Sequence, residues 1–181
     1  VSNKEKASMR QKFAQGEITK EQLLETESGS YHSPGTCTFY GTANTNQVIM
    51  EALGLQLAST SFINPNTDLR NALTQESVKR LLNQTSKSDN YQPFSKVVTE
   101  KSLVNAMVLM MATGGSTNLT LHLVAMAKAC GILINWQDMD EISRMTPLLA
   151  NVYPNGDADV NHFERAGGLA YLVSQLRSIN L

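Results

Sequence analysis

Apolar side chains recur along this chain at the spacing of α-helices. The segments with this pattern are residues 3–15, 44–53, 69–82, 103–112, 119–130, 137–144 and 163–178. A further helix is predicted to begin at Thr19, because Gln22 three positions later completes a capping box. The chain is therefore expected to be mostly helical.

Two of these helices are apolar on nearly every side and are predicted to be buried. They cover residues 103–112 and 119–130, and the turn-forming residues 113–118 separate them. The last helix is expected to break early, at the Gly167-Gly168 pair.

Signals for β-strands are sparse. Residues 132–134 are short, β-branched and bounded by turn formers, which predicts a strand, and residues 147–152 are compatible with another strand or a turn. These elements favour a helix-rich α/β fold with a small, mostly parallel sheet. The 181 residues are expected to form a single segment of a larger domain.

Composition narrows the function classes. Hydrophobic residues make up 41% of the chain, charged residues 17%, and the net charge is −1, so we expect no broad field for nucleic acid or an anionic membrane. No apolar run is long enough to span a bilayer, and the polar start of the chain lacks a signal-peptide core. A cytoplasmic protein is predicted, and the missing initiator methionine indicates a piece of something longer.

The chemistry is concentrated in residues 35–46, around Cys37. A thiolate there is expected to lie among backbone N–H groups and hydroxyls, and Gly35 and Gly41 would let the backbone approach a bulky ligand in conformations that other residues avoid. A turn with a buried free cysteine is an equally good reading of these residues alone. Cys130, at the end of an apolar helix, is interpreted as a core residue.

A second candidate site follows the first buried helix, at Ser116, Thr117 and Asn118. Free N–H groups at a helix N-terminus suit a carboxylate or phosphate, although the same side chains are typical of simple helix caps. The lysine and the glycine spacing of a nucleotide-binding loop are missing.

The three histidines stand apart from acidic or cysteine partners at the spacing of metal ligands. His122 is interpreted as a hydrogen-bonded core residue. His162 follows Asp157 and Asp159, which are as suited to capping and solvation as to a metal. His32 has no partner nearby in sequence. A lone Cys37 cannot hold an iron–sulfur cluster, so any co-ligands are expected outside this chain.

The motif Gly-Thr-Cys-Thr-Phe-Tyr-Gly-Thr-Ala-Asn-Thr-Asn at residues 35–46 resembles the dihydroxy-acid dehydratase / 6-phosphogluconate dehydratase family. The resemblance continues through residues 112–118, 153–156 and 161–168, and it covers essentially the full chain. Tyr31-His32 before the motif and residues 134–136 are similar to the 6-phosphogluconate branch.

The resemblance implies a hydro-lyase of the Entner–Doudoroff route that removes water from 6-phospho-D-gluconate. Cys37 would be one ligand of a [4Fe-4S] cluster that acts as a Lewis acid on the departing hydroxyl, while a base takes the proton at C2. Ser116, Thr117 and Asn118 would support the cluster pocket or the carboxylate end of the substrate.

The resemblance also implies a nearby Mg²⁺ and a homodimer in the intact enzyme. The family's further cysteines and its C-terminal β-rich domain are absent from these residues, so the segment alone is expected to be inactive. Two alternatives stay open: a dehydratase of another sugar acid or dihydroxy acid, and a non-catalytic helical assembly domain with a structural Cys37.

Overall fold

Helices supply all the regular secondary structure in the ranges 1–33 and 37–181, which are the residues that the computed structural model describes. The helices are α1 (Asn3–Ala14), α2 (Lys20–Ser28), α3 (Thr42–Ala52), α4 (Asp68–Leu82), α5 (Phe94–Val97), α6 (Glu100–Ala112), α7 (Asn118–Ala129), α8 (Trp136–Met145), α9 (Val160–Arg165) and α10 (Gly168–Ser178).

Local capping explains where several helices begin. The capping box of Thr19 and Gln22 is present at the start of α2, as the sequence predicted, and Thr99 caps α6 in the same way. The predicted break in the last helix is also confirmed, because Gly167 adopts a φ of 112° between α9 and α10. These starts and stops depend on neighbours in sequence only.

The helix α6 lies between two apolar clusters. Its Leu103, Met107 and Met110 pack with α3, α7 and α8 on one side. Its Leu109 and Ala112 pack with α10 and the segment around Val152 on the other side. The predicted burial of this helix is confirmed, and α3 contributes to the same two clusters through Ile49 and Val48.

The predicted small parallel sheet is wrong for the described residues. Residues 132–134 keep an alternating pattern, with Ile132 and Ile134 packed against the core and Leu133 88% exposed. Among residues 1–33 and 37–181, no second strand lies beside them to pair with their backbone. In residues 147–152 only an isolated bridge joins Val152 to Ala158. A strand needs a partner strand, which the periodicity of one segment cannot supply.

The prediction of two fully buried helices holds for α6 but only in part for α7. Leu119, Leu123 and Ala127 of α7 are buried, whereas Leu121 is 61% exposed. This helix therefore presents one face to the core and leaves the other open. Within the described residues, no helix is long and apolar enough to cross a bilayer.

A close approach between helices lies at Gly115, in the turn between α6 and α7. A Cβ atom added there would come 2.7 Å from Thr45 Cγ2 of α3 and 2.9 Å from Met110 Cγ of α6. The backbone N–H of Ser116 also donates to Thr45 Oγ1 at 3.1 Å, and Thr45 is fully buried. The turn thus fixes the distance between α3 and the start of α7.

We expect Gly115→Ala to lower the free energy of unfolding by about 1–3 kcal/mol, because the added methyl group must push α3 away from α6. Urea denaturation followed by circular dichroism measures this change. Gly41→Ala is the matched control, since nothing lies within 4 Å of its added Cβ and its φ of −100° suits any residue. An equal loss in both variants would contradict the packing argument.

Candidate functional site

Cys37 lies in the connection between α2 and α3, and its side chain is exposed. Its Sγ is 3.7 Å from the carbonyl oxygen of Phe39. The buried amide of Asn44, in the first turns of α3, donates to the carbonyl oxygens of Phe39 and, at 3.4 Å, of Cys37. The helix therefore holds the backbone from Cys37 to Phe39.

The expectation of backbone N–H groups around the sulfur rests partly on Gly35 and Thr36, which lie outside the described residues. Gly41 does not adopt an unusual conformation, so that part of the prediction is wrong. Its φ of −100° is extended, and the open space around it is the feature that a ligand could use.

Two aromatic residues fasten the same segment to the core. Phe39 packs edge-on against Tyr153, with ring centroids 4.9 Å apart, and the backbone N–H of Tyr40 donates to the Tyr153 carbonyl oxygen at 2.7 Å. The buried hydroxyl of Tyr40 donates to Thr113 Oγ1 at 2.8 Å, just beyond α6. Burial raises the pKa of Tyr40 to about 12, so the phenol remains a donor at neutral pH.

Cys37 opens onto a cleft of about 470 Å³. The cleft is lined by Cys37, by Ala43, Asn44 and Gln47 of α3, by residues 61–65, by Arg70, and by Val160 and Asn161 of α9. Arg70 is the one charged side chain among these described lining residues. Polar and apolar side chains thus line the cleft together, and Arg70 adds one positive charge to it.

Two charged side chains hold the loop that forms the wall opposite Cys37. The carboxylate of Glu51 accepts hydrogen bonds from the backbone N–H groups of Ser59, Thr60 and Ser61. The guanidinium of Arg70 donates to the carbonyl oxygens of Thr60 and Ile63. Because these bonds satisfy the backbone of a loop without regular structure, the wall keeps a defined position.

Asn161 is the most unusual residue in the cleft. Its side chain is buried, with the residue only 6% exposed, yet the Nδ2 donor has no hydrogen-bond partner among the described residues. An unsatisfied buried donor costs about 1–3 kcal/mol. A polar ligand in the cleft that reached this atom would satisfy it.

Ser116 and Asn118 contact a different face of α3. Ser116 Oγ lies 3.1 Å from Thr42 Oγ1, and Asn118 Nδ2 donates to the same atom at 2.8 Å. Thr117 occupies the N-cap position of α7 without a side-chain capping bond. Thr42 and Thr45 face these residues, whereas Ala43, Asn44 and Gln47 face the cleft at Cys37, so α3 separates the two predicted sites.

Of the two cysteines in this chain, only Cys37 is placed at the cleft, so the chain can supply one ligand of an iron–sulfur cluster there. Cys37 offers an exposed sulfur beside the orphaned Asn161 donor, but Cys130 is the only other cysteine in the chain. Cys130 follows the twelve residues of α7, about 18 Å along the helix from the turn at Ser116. It is exposed, so its assignment to the core is wrong, because Cys130 lies past Ala127, the last buried residue of α7.

The interpretation of His122 as a core residue is also wrong. It lies on the open face of α7, where its Nδ1 is 3.4 Å from Asn46 Nδ2 of α3. Because α7 is hydrophobic on nearly every side, its sequence does not show which face is exposed. Only tertiary contacts decide which side of such a helix is covered.

The other two histidines are not isolated. His32 Nε2 lies 3.0 Å from Asp159 Oδ2, and His162 Nδ1 lies 2.9 Å from Asp159 Oδ1. In the sequence, only the short spacing between Asp159 and His162 indicates this group, since His32 is 127 positions from the aspartate. Asp157 remains exposed and pairs with Lys4.

Asp159 is the centre of this group and also caps α9. Burial tends to raise the pKa of Asp159, but hydrogen bonds donated by the His162 backbone, the His32 ring and the Asn161 backbone outweigh it, and the pKa lies below the ordinary value. The carboxylate is thus held in its charged form by both neighbouring segments.

The sequence of this chain is similar to those of known dehydratases. The sequence is 56% identical to the phosphogluconate dehydratase of Pseudomonas aeruginosa and 57% identical to that of Rhizobium meliloti, in each case over 97% of this chain and 29% of the relative. It is 36% identical to dihydroxy-acid dehydratase 1 of Methanosarcina acetivorans, over 92% of this chain and 30% of the relative. The chain thus spans about 30% of the length of these curated relatives. Because the family model described as dihydroxy-acid/6-phosphogluconate dehydratase N-terminal matches all of residues 1–181, the chain belongs to that family.

Proposed function

We propose that the protein containing this chain dehydrates 6-phospho-D-gluconate to 2-dehydro-3-deoxy-6-phospho-D-gluconate, a hydro-lyase step of the Entner–Doudoroff route. The names of relatives with 50–57% identity support this substrate over a dihydroxy acid, whose named relative is 36% identical. The observation that carries the proposal is the cleft in which the exposed Cys37 thiol and the orphaned Asn161 donor lie together.

In this proposal Cys37 holds one iron of a [4Fe-4S] cluster. The ligating form is the thiolate, so Cys37 would hold the iron after losing its proton to solvent. When bound, the cluster supplies a Lewis-acidic iron that offsets the negative charge developing on the departing hydroxyl group. Asn44 keeps the thiol's backbone in place through its bonds to the carbonyl oxygens of residues 37 and 39.

The remaining cleft residues are suited to an anionic, hydroxylated substrate. The Asn161 Nδ2 donor is available for a substrate oxygen or a cluster sulfur, and this bond would satisfy it. Arg70 adds positive charge at the wall, although carbonyl oxygens already occupy part of its guanidinium. We assign these two residues to positioning and attraction of the substrate, not to proton transfer.

Other parts of the active site are assigned to the longer protein. The further cluster ligands, the acidic ligands of a Mg²⁺ ion and the base at C2 would come from the remaining 70% or so of the length seen in the relatives. We also propose a cytoplasmic homodimer, as expected for this family.

Cys37→Ser in the full-length enzyme is expected to abolish both bound iron and dehydration of 6-phosphogluconate while the helical fold is retained, because serine is not a ligand of comparable softness for this iron. Anaerobic iron analysis, a coupled assay of the product and circular dichroism measure the three properties. Cys130→Ser is the matched control and should retain iron and activity, since that thiol is exposed at the far end of α7.

Iron and activity at the level of the unmodified enzyme in Cys37→Ser would contradict the role of this thiol. The same assay tests the substrate: the full-length enzyme should turn over 6-phosphogluconate in preference to an unphosphorylated 2,3-dihydroxy acid. The reverse preference would move the protein to the dihydroxy-acid branch.

Asn161→Leu is expected to lower kcat/KM about 10–100-fold, the range seen when a residue supporting a metal site is removed. The free energy of unfolding should stay the same or rise by about 1 kcal/mol, because an apolar group of similar shape removes an orphaned buried donor. Steady-state kinetics and urea denaturation separate the two effects.

Thr146→Val is the control for this prediction. The Thr146 hydroxyl is also buried without a partner among the described residues, but it lies at the end of α8 and does not line the cleft. This variant should leave kcat/KM unchanged. Unchanged activity in Asn161→Leu as well would remove Asn161 from the site.

A further inference from the structure

Folding brings two histidines and an aspartate together beside the cleft, outside the set of residues that the proposed dehydration uses. His32 precedes the Cys37 segment, and Asp159 and His162 lie at the start of α9. One nitrogen of each imidazole and one carboxylate oxygen all lie within 4.8 Å of one another. Donor atoms from two distant parts of the chain therefore converge on one small volume.

The spacing of these atoms suits a metal ion. Asp159 Oδ2 lies 3.0 Å from His32 Nε2, and the other carboxylate oxygen, Oδ1, lies 2.9 Å from His162 Nδ1. Ligands about 2.0–2.2 Å from a common ion are about 3 Å from each other, whereas the three donor atoms here lie within 4.8 Å of one another. Coordination therefore requires side-chain rotations that bring both nitrogens to one ion and release the hydrogen bond that His162 Nδ1 accepts from the Asp159 backbone N–H. The rings of His32 and His162 are nearly perpendicular, with centroids 5.8 Å apart, so they approach one point from different directions.

The surroundings orient the ligands and leave a route for entry. Asp159 Oδ1 accepts hydrogen bonds from the backbone N–H groups of Asn161 and His162, which fixes the carboxylate. The Asp159 side chain is 10% exposed, whereas the His162 side chain is 56% exposed. An ion could thus reach the group from solvent and keep water at its remaining positions.

The donor chemistry selects the class of ion. Two neutral imidazoles and one carboxylate match Zn²⁺, Co²⁺ or Ni²⁺, whereas Mg²⁺ and Ca²⁺ prefer oxygen ligands alone. The anionic Asp159 offsets part of the charge of the ion, and no lysine or arginine is bonded to it among the described residues.

We propose that His32, Asp159 and His162 form a binding site for a divalent transition metal ion, with zinc as its best match, separate from the Cys37 site. The ion would join the segment leading to Cys37 to α9, the helix that carries Asn161. The site would therefore stabilise the two sides of the cleft against each other. This inference does not depend on the identity of the substrate.

The test measures zinc in the full-length protein. The protein is stripped with a chelator under anaerobic conditions, equilibrated with Zn²⁺, desalted and analysed for metal by mass spectrometry. His32→Gln and His162→Gln should each contain about one equivalent less zinc than the unmodified protein, because each removes one of only three protein ligands. His122→Gln, which replaces the remaining histidine of this chain, is the matched control and should lose none.

A second readout is thermal unfolding. Added Zn²⁺ should raise the melting temperature of the unmodified protein and of His122→Gln, and it should raise that of the other two variants less. Circular dichroism without zinc checks the fold, and glutamine retains a hydrogen-bonding side chain toward Asp159. Equal zinc content and equal stabilisation in all four proteins would overturn the proposal and leave a hydrogen-bonded His-Asp-His group.

Discussion

The close packing of α3 against the turn between α6 and α7 is the constraint on which the rest of the structure depends. Gly115 lets that turn approach Thr45, and α3 then contributes to both apolar clusters through Ile49 and Val48. The same helix faces the Cys37 cleft with Ala43, Asn44 and Gln47 and the turn at Ser116 with Thr42. The orientation of one buried helix therefore determines where both groups of polar residues lie.

Polar side chains here satisfy the backbone of the loops, as neighbouring strands of a sheet do in many enzymes. Glu51 and Arg70 satisfy the backbone of the loop around residues 59–63, and Asn44 satisfies carbonyl oxygens beside Cys37. Such loops can carry reactive groups because their backbone bonds are made by rigid helices. Because each loop depends on one or two such side chains, replacing a single one of them can displace a wall of the cleft.

The short helix α9 connects the two sites described beside Cys37. Asn161 lines the cleft, while its neighbours Asp159 and His162 meet His32. Because all three residues of this helix start share one capping arrangement, a ligand at either site would restrict motion at the other. His32, before Cys37, is held by this arrangement, and Tyr40, after it, is held by Thr113.

The sequence by itself determined the features that arise from near neighbours: the capping box at Thr19, the break at Gly167, the buried α6 and the family motif around Cys37. Tertiary structure decided the rest. Residues 132–134 have strand periodicity but no partner strand, and His122 lies on the open face of an apolar helix. The orphaned donor of Asn161 and the meeting of His32 with Asp159 depend on segments far apart in the chain. Periodicity and capping report interactions within about four residues, whereas burial, pairing and ligand geometry depend on which distant surfaces meet.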